Sequence, residues 1–215
     1  MHPQPPRRTT HTAGGPRNLL VFDRWGQFGR PVVLLHGLLY DRAMWWPAAA
    51  ELAGPGCTIV APDLPGHGQS PARDDYRIER IARDLAALVN SLQLHRAPII
   101  VGHGASALLA TAFAESYATH ALITLERPRF DAAGIEDLIG ATAPEDVPLI
   151  FQPYLVRHED PLVLRAYESW LAQPSTRRNE PAIAGRASSR PTARDEAFAH
   201  LVDPEGFADE LRVLL

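Results

Sequence analysis

The stretch Ile99-Ile100-Val101-Gly102-His103-Gly104-Ala105-Ser106-Ala107-Leu108-Leu109 constrains this chain more than any other. An apolar run enters a turn of small residues, and an apolar helical pattern starts directly after it. That is the layout of a strand driving into a sharp turn and then a helix, a geometry that lifts one residue above a sheet. A run apolar at consecutive positions also suits a strand covered on both faces, as in a parallel sheet. The remaining sequence must then supply neighbouring strands and covering helices.

It does so in alternation. Leu19-Leu20-Val21-Phe22, Val32-Val33-Leu34-Leu35, Thr58-Ile59-Val60-Ala61 and Ala121-Leu122-Ile123-Thr124-Leu125 read as further strands. Asp41 is placed to cap a helix with Met44, Trp45, Ala48 and Leu52 at core-facing spacing. Ile78, Ile81, Leu85, Leu88, Val89 and Leu92 repeat at three and four residues, with Glu79, Arg80, Arg83 and Asp84 on the other side. Asp203 and Pro204 start a closing helix that carries Phe207, Leu211 and Leu214 on one face. Strands alternating with helices predict an α/β fold built on a doubly wound, mostly parallel sheet.

The Pro/Gly-rich, polar residues 1–17 are expected to be a disordered tail whose His and Arg side chains are solvated. Residues 18–127 form the predicted core. Residues 128–178 break into short helical pieces, such as Ile135–Ile139 and Leu162–Leu171, between Pro144, Pro148, Pro153, Pro161 and Pro174. Residues 179–215 return to the core, with Pro181–Gly185 as one more short strand and the closing helix at the end.

Composition excludes several functions. The 215 residues are enough for one sizeable core, and a net charge of −4 gives no reason to expect nucleic acid or an anionic membrane. All 21 basic residues are arginine, so Schiff-base chemistry and a phosphate-gripping lysine have no candidate. Cys57 stands alone, which fits a reducing compartment and a buried thiol. No apolar run reaches transmembrane length, and the expected location is cytoplasmic. No cluster has metal-ligand spacing, so no metal and no other cofactor is expected.

Four local patterns resemble the α/β-hydrolase superfamily. His36-Gly37 resembles its oxyanion-loop H-G, and Asp63-Leu64-Pro65-Gly66-His67-Gly68-Gln69-Ser70 its D-x-x-G-x-G-x-S loop. Gly102–Ser106 matches the nucleophile elbow G-x-S-x-G in frame, and His200–Phe207 resembles the closing H-x-x-H-L-E-x-P-E-x-F segment. The resemblance implies a helical cap over the site at 128–178. It also implies a Ser-His-acid triad, in which serine attacks, histidine takes its proton and the acid orients the histidine. Here Gly104 stands at the serine position. Counting back seven from Pro204 places Ala197 at the catalytic histidine, and His200 aligns with the second, non-catalytic one. Counting three on from Gly185 places Ser188 at the acid. Only eleven residues separate Gly185 from Ala197, too few for the family's last helix and strand, so an open outer sheet edge is expected to pair in a homodimer or with a partner.

What the resemblance keeps is a pair of oxyanion amides, from Ala105 and Leu38, with Leu39 and Gly104 beside them as substrate-binding positions. His36 and His103, in tight turns, read first as structural and second as proton-transfer groups. Glu126, at the sheet's carboxyl edge, is an acid–base candidate or a salt-bridge partner of Arg127 or Arg129. His200 is the candidate replacement base. Ser106 at the helix start reads as a cap or packing residue before a displaced nucleophile. His158-Glu159-Asp160 reads as an isolated, solvated acidic patch. Three functions follow: a non-hydrolytic cyclase- or lyase-like enzyme acting on an apolar carbonyl-containing small molecule, with His103, Glu126 and His200 as acid–base candidates; a non-catalytic protein that binds a ligand or a related subunit; or a hydrolase with substituted catalytic residues.

Overall fold

The structure, a computed structural model, describes residues 7–125, 147–172 and 198–215. The described strands form one sheet in the order β1-β2-β4-β3-β5-β6. They are β1 (Thr9–Ala13), β2 (Leu20–Trp25), β3 (Arg30–Leu35), β4 (Cys57–Pro62), β5 (Ile99–His103) and β6 (Ala121–Leu125). The pairs β3–β4, β3–β5 and β5–β6 are parallel, and β1–β2 and β2–β4 are antiparallel. The predicted strands that fall within the described residues all form. At the antiparallel end, β1 turns into β2 through a short connection holding Gly14 and Gly15, and β2 pairs with β4 and not with β3, the strand that follows it in sequence.

Alternation along the central strands builds two cores. Val33, Leu35, Val60 and Ile100 face one side, beneath α2 (Ile78–Ser91) and α3 (Ser106–Ser116). Val32, Leu34, Ile59, Ala61, Ile99 and Val101 face the other, beneath α1 (Trp46–Leu52) and the C-terminal helices. Asp41 caps a 3-10 turn, Arg42–Trp45, that leads into α1, and Met44, Trp45, Ala48 and Leu52 are all buried.

Two expectations are corrected. Residues 9–13 are an edge strand and not a disordered tail: the Thr-rich segment has strand propensity, and Asp23 supplies a buried acceptor for Thr10 Oγ1 at 2.7 Å. His11 stacks on Phe22, and the Arg8 guanidinium lies 3.4 Å over the Trp46 ring, so neither side chain is merely solvated. Asp84 lies on the polar side of α2 yet is buried, because it accepts from Arg73 at 2.6 Å and from Asn18 at 3.0 Å.

Of the expected cap, residues 147–172 are described. They carry a 3-10 turn (Gln152–Tyr154), the helix α4 (Pro161–Tyr167) and a further 3-10 turn (Glu168–Ala172). Tyr167 donates to Pro65 O at 2.8 Å and Trp170 Nε1 to Tyr76 O at 2.7 Å, which fixes the second half of the segment on the core. The Ile135–Ile139 helix, the 181–185 strand and the length of the 185–197 connection lie outside the described residues. The chain closes with α5 (Ala199–Val202) and α6 (Pro204–Arg212), where Asp203 accepts from Gly206 N as the sequence predicts.

Candidate functional site

The site sits where β3 and β5 leave the sheet side by side. Their register pairs Leu34 with Val101 and Leu35 with Gly102, so the segments 36–39 and 104–105 emerge together at the carboxyl edge, where ligand crevices open in such sheets. Gly104 adopts φ +56°, a left-handed conformation in which any other L-residue is strained. A Cβ built there meets no atom of the described residues within 4 Å, so among them the tip faces open space. Its amide donates to Leu125 O at 2.9 Å, anchoring the tip to β6. Gly104 thus takes a left-handed turn at the position that the resemblance assigns to the nucleophile, with no side chain there.

Ser106 is not a displaced nucleophile. Fully buried at the start of α3, it donates to the carbonyl of His36 at 2.6 Å. That bond is one of a series, for four successive carbonyls of the oxyanion loop each have a donor. His36 O receives Ser106 Oγ. Gly37 O receives Tyr40 N at 3.0 Å and His36 Nδ1 at 2.8 Å. Leu38 O receives His67 Nε2 at 2.7 Å, and Leu39 O receives His158 N at 2.7 Å. With these carbonyls held, the Leu38 peptide has one orientation available. Neither the Leu38 nor the Ala105 amide donates to another described residue.

The histidines are assigned by their partners. His36 Nε2 accepts from Leu64 N at 2.9 Å, so its one proton is on Nδ1 and the ring is neutral. Burial holds its pKa well below the ordinary value, and nearby His67 adds to the effect. His67 faces carbonyls with both nitrogens, Leu38 O at 2.7 Å and Pro65 O at 3.2 Å; burial lowers its pKa against the pull of those two acceptors. Both rings organise loops, in agreement with the structural reading of His36.

His103 and His200 lie behind the elbow in an aromatic layer. The His103 ring stacks on Phe198 with centroids 5.3 Å apart and meets His200 edge-on at 5.4 Å. Its Nδ1 lies 2.7 Å from where a Gly37 Cβ would stand, so a side chain at 37 would displace the ring. His200 packs on Trp45 at 4.2 Å and is fully buried, and neither ring nitrogen is hydrogen-bonded to a described residue. Burial, followed by the proximity of His103, keeps its pKa well below the ordinary histidine value. Trp45, as predicted, is a core residue of the same layer, and so is Tyr40. Glu126, Ser188 and Ala197 lie outside the described residues.

Sequence reasoning missed two features. Asp63 and Asp23 share the Arg42 guanidinium in a buried network, with Asp63 also accepting from the Arg42 and Gln69 amides at 2.9 and 2.7 Å. Its carboxyl is nonetheless raised above the ordinary range, chiefly by burial. The other concerns 158–160, which is not an isolated acidic patch. His158 bonds Asp41, Asp160 caps α4, and only Glu159 pairs outward, with Arg157. Among the described residues, no group of three or more His, Cys, Asp or Glu could hold a metal ion, and no helix is long and apolar enough to cross a membrane.

These features agree with what comparison finds: the model of the alpha/beta hydrolase family matches residues 32–214. The chain belongs to that family. Among similar members, an uncharacterized protein of Mycobacterium tuberculosis (strain ATCC 25618 / H37Rv) is 36% identical over 90 residues, 41% of this chain and 26% of that protein. The non-heme chloroperoxidase CPO-A1 of Kitasatospora aureofaciens is 33% identical over 38% of this chain and 30% of its own length. The chain spans less than half the length of the curated relatives it matches. Of the solved alpha/beta structures, a thioesterase domain from the curacin biosynthetic pathway is 28% identical with a TM-score of 0.51, covering 57% of this chain and 47% of that one. A thermophilic esterase from Thermogutta terrifontis shares the fold over 96% of this chain and 97% of its own, with a TM-score of 0.63 and 19% identity.

Proposed function

We propose that this alpha/beta hydrolase family member binds an apolar, carbonyl-containing small molecule without acylation. The carbonyl oxygen is held by the Leu38 and Ala105 amides, and the reacting carbon stands over Gly104. The observation that carries this reading is the bare tip. The elbow backbone and its open space are kept at Gly104, while the only nearby hydroxyl in the motif, Ser106, is committed to the His36 carbonyl.

Two fixed N–H donors polarise a carbonyl and stabilise the negative charge that develops on its oxygen when an adjacent C–H is lost. Such a site favours elimination, cyclisation or rearrangement, in which the ligand's own atoms react and the protein supplies position and proton transfer. His103, His200 and Glu126 are the acid–base candidates. A second reading, binding without chemistry, is favoured by the burial of His36 and His200 as neutral rings, since each must shed its packing before it exchanges a proton with a ligand.

A panel of apolar lactones, thioesters and ketones, incubated with the protein and analysed by mass spectrometry, tests the proposal. Isomerised or eliminated products without added water are expected, and they should be lost in Gly104→Leu. Recovery of unchanged compounds, with binding lost in Gly104→Leu, would support the second reading. Hydrolysis that vanishes in His200→Ala would replace both with a hydrolase of altered machinery.

A further inference from the structure

The described cap segment changes sides of the sheet. Val147, Phe151 and Leu155 pack with the cluster of Leu39, Tyr40 and Trp45, whereas Val163, Tyr167 and Trp170 pack with Leu38, Leu64 and Tyr76 on the opposite face. The crossing therefore falls between Leu155 and Val163, over the oxyanion loop. Residues 155–160 have no regular secondary structure, so side chains and single bonds must hold them there.

One residue does most of the holding. His158 N donates to Leu39 O at 2.7 Å, and its Nε2 lies 3.0 Å from Asp41 Oδ2, a contact across 117 residues of chain. The other Asp41 oxygen accepts from Ala43 N at 2.8 Å, so the carboxylate is fixed before His158 reaches it. The His158 ring also meets His67 edge-on at 6.1 Å, and His67 is the donor to Leu38 O. Side-chain exposures of 30% for His158 and 14% for Asp41 place the pair at the border of solvent, sheltered enough to matter more than a surface ion pair. Arg157 and Glu159 pair with each other, away from this contact.

We propose that His158 and Asp41 latch the cap segment onto the oxyanion loop and act as positioning residues for the Leu38 amide. What that amide binds rests on the function proposed above; the latch itself does not. Closing it fixes the Leu39 carbonyl from the cap side, while Ser106 and His67 fix the His36 and Leu38 carbonyls from the core. Releasing it frees the loop's outer half and leaves the elbow, built on β5 and α3, unchanged.

Amide hydrogen exchange on the ligand-free full chain reads the latch, and titration with 2-nonanone reads the site. In His158→Leu, exchange over 36–41 should rise about tenfold, the equivalent of one sheltered, charge-assisted hydrogen bond, with 99–116 unaffected. His158→Gln keeps an N–H donor and should stay within about twofold of wild type. Asp41→Asn keeps the acceptor for Ala43 N and should raise exchange over 36–41 by several-fold, which tests the latch even if His158→Leu does not fold. Ketone affinity should fall in step with exchange. Unchanged exchange over 36–41 in the Leu and Asn variants overturns the latch. Altered exchange with no ketone binding in any form supports the latch and counts against the proposed ligand.

Discussion

His36 shows how a single residue's bonding fixes a measurable property. Its Nε2 accepts from Leu64 N and its Nδ1 donates to Gly37 O, so a second ring proton finds no acceptor without breaking a bond. His200 is buried, and among the described residues no acceptor reaches either nitrogen. Both pKa values are lowered by burial from the ordinary 6.5, so between that value and the folded one the unfolded chain binds more protons. Their contribution to stability is complete above about pH 6.5 and is lost progressively as pH falls toward the lowered folded-state values. Urea midpoints should therefore drop between about pH 8 and about pH 5.5, and His200→Phe, which suits its aromatic surroundings, should flatten the drop. An unchanged slope in that variant would contradict the assignment. Ser106→Ala strips a buried carbonyl of its donor, at a cost of about 1–3 kcal/mol. Thermal unfolding should show a loss of about 2–4 °C for each kcal/mol in a chain of this size.

Among elements, the N-terminal strand and the 3-10 turn before α1 meet at a buried charge. Asp23 and Asp63, two buried carboxyl groups, share the single Arg42 guanidinium. Arg8 approaches Asp23 at 3.8 Å with its side chain 38% exposed. Geometry ranks the two arginines. Arg42→Met leaves two buried carboxylates without their shared partner and should cost about 3–5 kcal/mol, whereas Arg8→Gln loses a screened pair and a ring contact and should cost about 1 kcal/mol. Denaturant titration of both variants checks the order; equal losses would contradict it. This network also marks the limit of what the sequence discloses. The strands, the elbow at Gly104 and the caps at Asp41 and Asp203 are local patterns of spacing and residue size, and they are legible. The partners of Arg8, Arg42, Asp84 and His158 are set by tertiary approach between segments tens of residues apart. Local periodicity assigns such residues to solvent, which is why β1 and the Asp41–His158 contact are found only in three dimensions.

For the molecule as a whole, the family and the fold agree, and the function proposed for the carboxyl-edge site turns on the elbow tip. Among the described residues β6 has a neighbour on one edge only, and an unpaired edge invites association. We expect a homodimer through that edge; light scattering that finds a monomer at micromolar concentration would contradict it. The most direct test of the central proposal, an oxyanion site that holds a carbonyl without acylation, is the intact mass of wild type and Gly104→Ser after exposure to a fluorophosphonate. Neither protein should gain mass, even though the variant restores a hydroxyl at the tip. A stoichiometric adduct on either would show a working nucleophile or an intact activating base, and would contradict the account.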